Sequence, residues 1–159
     1  MNKDQNTKEK ICAFYASDYH FEMISLPYIE KKLANEDEVI ILTQNDLEET
    51  MKTLLNKTNL KEDKKEKILK LDWKSNDSNK FESIKSKINE EKNMIIFVKG
   101  NENYIHNINH DISQWIPEQN KIKIVDCYNI EEVGENLDSV MEQYHKILRV
   151  TGEKEIEKL

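Results

Sequence analysis

Seven residues near the ends of apolar segments form the candidate ligand-binding set of this chain: Tyr15, Ser17, Asp18, His20, Lys99, Asp126 and Tyr128. The carboxyl ends of parallel strands meet at one edge of a sheet, and open α/β folds bind ligands there. Histidine is the side chain best suited to proton transfer near neutral pH, and a lysine can pair with a charged ligand. The set therefore predicts a ligand pocket at this edge.

The same residues also suit other interpretations. Ser17 or Asp18 can cap the first helix, and Glu22 suits the positive end of that helix. If His20, Lys99 and Asp126 converge on one pocket, they could serve a small transferase or hydrolase, with His20 as the proton-transfer group. We favour a non-enzymatic binding domain, because no nucleophile motif or coherent catalytic set accompanies these residues. A structural interaction module that uses the C-terminal helix and the segment 152–159 stays a third interpretation.

Glycine is too scarce for the common phosphate-binding loops. The chain has 3 glycines, Gly100, Gly134 and Gly152, and none of them follows the first apolar segment. Walker loops and dinucleotide fingerprints need several closely spaced glycines, so that backbone amides can approach a phosphate. Conventional nucleotide hydrolysis and NAD binding are therefore disfavoured, and we predict no cofactor.

A histidine pair at helical spacing is the remaining feature that could bind a metal ion. Glu102, His106 and His110 recur every four residues, which would let two imidazoles share a metal ion. The apolar stripe of the same segment lies on another face, so the histidines fall on the exposed side, where solvated histidine is the usual state. We therefore predict no metal site.

Short apolar segments alternate with helical patterns along the chain. Residues 10–16, 38–43 and 93–99 are nearly continuous apolar runs, typical of strands covered on both faces. Residues 121–128 begin with alternation, become continuous and also predict a strand. Residues 67–74 alternate strictly, which predicts a fifth strand at or near a sheet edge. The fold class predicted is α/β, a three-layer domain with a mainly parallel five-stranded sheet flanked by helices. The strands at 10–16 and 93–99 are the most apolar and are expected to be central and adjacent.

Helical periodicity fills the intervals between these segments. The first expected helix covers about 19–34 and runs through Pro27, and the second begins at a cap formed by Asp46 and Glu49. A third is indicated by the thin apolar stripe of Phe81, Ile84 and Ile88, and a fourth extends from Tyr104 to Pro117. A long C-terminal helix is expected from Asn129 past Leu148 to a stop at Gly152. The predicted organisation is a flexible N-terminus at 1–9, one domain at 10–152 and a tail at 153–159.

Composition limits which binding partners and which cellular compartment we expect for this chain. A net charge of −7 repels a phosphate backbone, so direct nucleic-acid binding is not expected. Two cysteines, Cys12 and Cys127, lie inside apolar segments and suit buried free thiols in a reducing compartment. No apolar run approaches the ~18 residues of a membrane span, and no signal-length segment follows the N-terminus. We expect a soluble, cytoplasmic protein.

Several segments together resemble the MEDS domain, the sensory domain of methanogens and methylotrophs found in dichloromethane-regulator-type proteins. The segments are CAFYAS (12–17), LPYIEKKL (26–33), DEVIILT (37–43), VDCYN (125–129) and MEQYHKIL (141–148). The chain departs from the family pattern at Lys32, Asp126, Asn129 and Lys146.

The resemblance implies a degenerate relative of RecA/KaiC-type α/β domains without the phosphate loop. It also implies a sensory or regulatory role, with either a small-molecule ligand or a signalling or transcription-regulatory protein as partner. The chain has no room for an additional DNA-binding or kinase domain, so its output is expected to pass through another protein.

Overall fold

A six-stranded, mainly parallel sheet forms the centre of the protein. The computed structural model describes residues 8–75, 78–87, 93–115 and 122–156. The strands are β1 (Lys8–Tyr15), β2 (Glu38–Thr43), β3 (Met94–Gly100), β4 (Ile122–Asn129), β5 (Lys146–Arg149) and β6 (Gly152–Glu155). Their order in the sheet is β2-β3-β4-β1-β5-β6. All neighbouring strands are parallel except β5 and β6, which form an antiparallel hairpin.

Helices cover both faces of the sheet, which makes an α/β domain of three layers. The helices are α1 (Asp18–Ala34), α2 (Glu48–Asn56), α3 (Glu62–Leu69), α4 (Ser78–Lys87), α5 (Glu102–Trp115), α6 (Ile130–Val133) and α7 (Leu137–Met141). Buried residues of α1, α2 and α3 pack on one face, here called the α1 face. Buried residues of α4 to α7 pack on the other, the α5 face. All seven residues of β3 are buried, as expected for a strand with helices on both sides.

The four apolar segments form strands as predicted, but the predicted number of five strands is wrong because the sheet contains six. The error arises at the C-terminus, where one long helix was expected. Instead α6 ends at Gly134, whose φ of 51° does not continue a helix, and a 3₁₀ turn and α7 follow. The chain then forms β5, because Ile147 and Leu148 bury their side chains against the sheet.

The predicted tail at 153–159 begins as a strand. Glu153 pairs with Leu148 in the β5–β6 hairpin, which a two-residue turn at Val150 and Thr151 closes. Gly152 has a φ of 110°, so it serves this hairpin and does not stop a helix. Residues 157–159 of the predicted tail lie outside the described residues, as do residues 1–7 of the predicted flexible N-terminus. β1 begins two residues before the domain boundary predicted at residue 10.

The predicted edge strand at 67–74 is wrong. Its first part belongs to α3, in which Ile68 is buried and Leu69 is 41% exposed. Trp73 is buried as well, and its indole N–H donates to the Ile68 carbonyl at 2.8 Å. Tertiary packing of Ile68 and Trp73 against the α1 face therefore overrides the alternating pattern. Only Ser75 approaches the sheet, through an isolated bridge to Thr43 of β2.

The strands at 10–16 and 93–99 are central, but they are not adjacent, which corrects a second expectation. β4 lies between β1 and β3 and pairs with both. The connection through α1 carries the chain from β1 to β2 at the far end of the sheet, and β3 and β4 then fill the interval. Strands spaced by about 4.8 Å place β1 and β3 about 10 Å apart. Only a long side chain can join the loops that follow them.

Several local predictions are confirmed. α1 runs through Pro27, and the Ser17 hydroxyl caps it by accepting from the His20 N–H at 3.1 Å. Asn129 caps α6 by accepting from the Glu131 N–H at 2.9 Å. Asp46 accepts from the Glu48 N–H, but Leu47 holds the cap position of α2. The helix with Ile84 is present, whereas Ile88 and Pro117 and the side chains of Phe81 and Trp115 lie outside the described residues.

Cys12 and Cys127 are both buried, as predicted, and neither is part of a disulfide within the described residues. Burial raises the pKa of Cys127 well above its usual value, and the neighbouring Asp126 adds to the effect. Both thiols are therefore held as inert parts of the core. Among the described residues, none of the helices has the length and apolar character needed to cross a membrane.

Gly100 is required by close packing at the end of β3. A Cβ at this position would lie 2.5 Å from Cδ2 of Tyr104 and 2.8 Å from Oε1 of Gln44. We expect Gly100→Ala to lower the free energy of unfolding by about 1–3 kcal/mol, because the Tyr104 ring must move. Urea denaturation measures this loss. Asn107→Ala, at an exposed position of α5, is the control and should change stability by less than about 0.5 kcal/mol. Equal midpoints for the two variants would contradict the packing argument.

Candidate functional site

Ser17 and His20 shape the first turn of α1. The Ser17 hydroxyl caps the helix, and Nδ1 of His20 accepts from the Ala16 N–H at 2.8 Å. Since Nδ1 is an acceptor, a neutral His20 ring carries its proton on Nε2 and offers that N–H to a ligand. His20 therefore combines a structural contact on one nitrogen with a hydrogen-bond donor on the other.

Lys99 is a buried cation that joins three parts of the fold. It is 2% exposed, and its Nζ donates to Asp18 Oδ1 at 2.9 Å and to Asn45 Oδ1 at 3.0 Å. The ammonium also lies 4.7 Å from the ring centroid of Tyr15 and 5.4 Å from that of Phe21. Carboxylate, amide and aromatic faces together compensate its burial. Its long side chain thus bridges the loops after β1, β2 and β3, as the separation of β1 from β3 requires.

Tyr15 belongs to the same cluster but stays neutral. It is buried and packs edge-on against Phe21, with the ring centroids 5.8 Å apart. Burial raises the pKa of its hydroxyl above the usual value, and nearby acidic groups add to the effect. The structure therefore brings together Tyr15, Asp18 and Lys99 on the α1 face, with Ser17 and His20 in the adjoining turn.

Asp126 and Tyr128 lie on the opposite face of the sheet. In the β3–β4 register Asp126 pairs with Val98, and Lys99 pairs with Cys127, so Lys99 and Asp126 point in opposite directions. Asp126 is fully buried in a network on the α5 face. Its carboxylate accepts from the Tyr144 hydroxyl at 2.6 Å and from the Asn109 amide at 2.9 Å, and Lys10 lies 3.4 Å away. The predicted seven-residue set is thus divided between two faces.

Burial governs the protonation of this network. It raises the pKa of Asp126, while the Lys10 ammonium and the hydrogen bonds from Tyr144 and Asn109 oppose the rise. The Tyr128 and Tyr144 hydroxyls lie 2.6 Å apart, and burial raises the pKa of both. Asp126, Tyr128 and Tyr144 are buried in this network, and the Asp126 oxygens accept hydrogen bonds from the protein's own groups. The convergence of His20, Lys99 and Asp126 that catalysis would need does not occur.

His20 lines an apolar cleft of about 500 Å³ at the carboxyl ends of β1, β4 and β5. This cleft, here called the edge cleft, is lined by Phe14, His20, Ile24, Ile130, Leu137, Met141, Ile147, Leu148, Arg149, Val150 and Thr151. The chain leaves β1 toward the α1 face and leaves β4 toward the α5 face, so the cleft lies where the connections diverge. Ile130 and Val150 are 41% and 46% exposed at its mouth.

A second cleft of about 500 Å³ adjoins the edge cleft and has the opposite character. Lys31, Lys32, Lys123 and Arg149 line it, and Glu153 is the acidic residue among them. Burial alone would raise the pKa of Glu153, but the hydrogen bonds from Tyr28 and Lys123 outweigh burial and lower it. The two clefts share Arg149, Val150 and Thr151. An apolar chamber and a basic chamber therefore meet at the β5–β6 turn of an acidic protein.

Most residues that line the edge cleft were missed by sequence reasoning, which identified only His20. The expected C-terminal helix concealed the contributions of β5 and of the turn at Val150 and Thr151. Two signals could have indicated them: the β-branched run that ends in Thr151-Gly152, which suits a hairpin turn, and Arg149, the only arginine of the chain.

The histidines of α5 lie on its exposed side. His106 and His110 are both exposed, and His110 contacts the Gln114 side chain at 3.0 Å. Within the described part of the chain, no group of three His, Cys, Asp or Glu side chains has the geometry to hold a metal ion.

No protein-family model matches the chain, and a search of curated proteins finds no significant match. The structure itself defines the class of protein: a three-layer α/β domain with a mainly parallel sheet and clefts at its carboxyl edge. The functional argument therefore depends on the chemistry of those clefts.

Proposed function

We propose that this protein is a non-enzymatic sensory or regulatory domain that binds a small ligand in the edge cleft and signals through a protein partner. The observation that carries the proposal is the cleft itself: eight apolar side chains at the carboxyl edge of the sheet, with His20, Arg149 and Thr151 as the polar lining. Its volume lies within the usual range for small-molecule sites, and a few polar groups in an apolar lining are typical of them.

The lining favours a small organic acid as the ligand. Phe14, Ile24 and Met141 offer contacts to an apolar body. Arg149, at the boundary with the basic cleft, suits a carboxylate or another anionic group, and the Nε2 proton of His20 offers a further donor. A ligand that is entirely apolar would leave the basic side unused.

The arrangement of polar residues supports binding without catalysis. Lys99 is engaged by Asp18 and Asn45, and Asp126 is enclosed on the other face, so His20 has neither beside it in the edge cleft. We also propose the MEDS-like assignment and a cytoplasmic location. The glycine-free turn after β1, in which Ser17 caps α1, supports the first. The two buried cysteines outside any disulfide suit the second.

Anilinonaphthalenesulfonate, an apolar anion that fluoresces when bound, tests the cleft directly. We expect saturable binding to the wild type and a Kd at least about tenfold higher for Ile130→Glu, which places a negative charge at the mouth of the cleft. Leu69→Glu is the matched control, because Leu69 and Ile130 are each 41% exposed and Leu69 does not line the edge cleft. Near-ultraviolet circular dichroism of all three proteins separates cleft binding from dye uptake by a loosened core, because a loosened core loses that signal.

Equal loss of binding in both variants, or no loss in Ile130→Glu, would contradict a ligand site in the edge cleft. Native mass spectrometry of protein purified from its own host then identifies a retained acid or protein partner. Turnover of a substrate that disappears in His20→Ala, with the fold intact, would contradict the non-enzymatic assignment.

A further inference from the structure

Glu22 is a buried carboxyl group without a hydrogen-bond partner. It lies in the second turn of α1 and is 0% exposed. Among the described residues, neither of its carboxyl oxygens has a hydrogen-bond donor, and the Ser25 hydroxyl one turn later is also buried without a partner. Leaving a buried carboxyl unpaired costs several kcal/mol in general, so a native structure that retains one calls for an explanation.

Lys99 does not provide that explanation. Lys99 acts on Glu22 electrostatically, but its ammonium donates to Asp18 and Asn45. Asp18 already balances the charge of Lys99 and repels a charged Glu22. An ionised Glu22 therefore has no counter-ion of its own within the part of the chain that the structure describes.

Glu22 lines a separate cleft of about 350 Å³ between α1 and α2. This cleft, here called the α1–α2 cleft, is also lined by Tyr19, Glu49, Thr50, Thr53, Leu54 and Lys57. Glu22 is its buried member and lies beneath exposed side chains, among them Tyr19, which is 59% exposed, Glu49 and Lys57. A ligand therefore reaches the Glu22 carboxyl oxygens when these exposed side chains move aside. Two carboxyl groups against one lysine make the lining acidic when Glu22 is ionised.

We propose that the α1–α2 cleft is a binding site for a small organic cation, whose N–H groups donate to the Glu22 carboxylate and whose carbon skeleton contacts Tyr19 and Leu54. An ammonium group supplies the donors that both carboxyl oxygens lack and the charge that balances them. The Tyr19 ring adds a face suited to a cation. An organic cation fits better than a metal ion, because no metal-binding group of three acidic, His or Cys side chains occurs in the described regions.

The protonation of Glu22 gives the proposed site a pH dependence. Burial is the main cause that raises the pKa of Glu22; Asp18 adds to the rise and Lys99 opposes it, and together they bring the pKa to about 7. The other titratable groups that face the cleft are Tyr19 on α1, Glu49 on α2 and Lys57, which caps the C-terminus of α2. Since a cation binds the ionised carboxylate, its affinity should be full at pH 8 and fall as the pH drops below about 7.

Titration of the ¹⁵N-labelled full chain with benzylammonium chloride at pH 8 tests the site, with benzyl alcohol as the neutral analogue. We expect saturable shifts of α1 and α2 amides, and a Kd at least about tenfold higher for benzyl alcohol. Glu22→Gln should raise the Kd for benzylammonium at least about tenfold. Glu48→Gln is the matched control on α2, because Glu48 does not line the cleft, and it should leave the Kd unchanged.

A second variant decides the matter if Glu22→Gln fails to fold. Glu49→Lys reverses a charge at the exposed mouth and should weaken benzylammonium binding without affecting benzyl alcohol. Equal affinity for the cation and the alcohol, or a Kd that neither variant raises, would overturn the proposal. Ile130→Glu should not alter this titration, which separates the α1–α2 cleft from the edge cleft.

Discussion

Asp126→Ala is expected to lower the free energy of unfolding by about 3–5 kcal/mol. The carboxylate is fully buried and accepts hydrogen bonds from Tyr144 and Asn109, with the Lys10 ammonium 3.4 Å away. Alanine removes the acceptor, so these donors lose their partner inside the α5 face. Urea denaturation of wild type and variant, monitored by circular dichroism, measures the loss as a lower midpoint.

Asp111→Ala is the matched control for this measurement. Asp111 is an exposed carboxylate on α5, and its removal should change stability by less than about 0.5 kcal/mol. Asp126→Asn adds a finer test, because asparagine keeps one acceptor oxygen but places an N–H₂ group among donors, so an intermediate loss is expected. If Asp126→Ala and Asp111→Ala had the same midpoint, the network would not stabilise the fold.

Glu22 is expected to make the protein less stable as the pH rises from 5 to 8. Its pKa in the folded state rises from the ordinary 4.5 to about 7, mainly because of burial. In this interval the folded state holds a proton that the unfolded state has released, so stability is full below about 4.5 and falls as the pH rises through about 7. A pKa change of 1 corresponds to about 1.4 kcal/mol, so the rise from 4.5 to about 7 lowers the free energy of unfolding at high pH by about 3 kcal/mol.

Glu22→Gln isolates this contribution, because glutamine does not titrate. The difference in unfolding free energy between variant and wild type should increase by about 3 kcal/mol in favour of the variant between pH 5 and pH 8. Urea midpoints across this range provide the measurement, and other titrating groups cancel in the difference. Glu49→Gln, at an exposed position, is the control, and its unfolding free energy should depend on pH as that of the wild type does. A parallel Glu22→Gln profile would show that Glu22 is not desolvated.

Local signals predicted well wherever a short segment decides its own structure. Ser17 and Asn129 cap helices as their residue types predict, because a side-chain oxygen beside the first helical turn satisfies nearby N–H groups regardless of the rest of the fold. The apolar runs of β1 to β4 became strands because a buried parallel strand needs apolar residues on both faces. These features depend on a few neighbouring residues.

Prediction failed where distant packing competed with local periodicity. The segment after Asn129 has a helical pattern, but its last part forms β5 beside β1, where Ile147 and Leu148 are buried. The alternation of apolar and polar residues at 67–74 predicted a strand, but the burial of Ile68 and Trp73 favours a different structure. In both cases the burial of large apolar side chains outweighed the small free-energy differences between local conformations.

The candidate sites show the same division. The sequence by itself determined that polar residues follow the strands, that no glycine-rich phosphate loop is present and that the domain is α/β. Only the tertiary structure decided which of these residues are in contact. In the folded protein β4 lies between β1 and β3, Lys99 donates to Asp18, and Asp126 lies on the other face of the sheet. The physical reason is that long-range packing determines the order of the strands and the face of the sheet on which each side chain lies. The spacing of residues along the chain specifies neither of them.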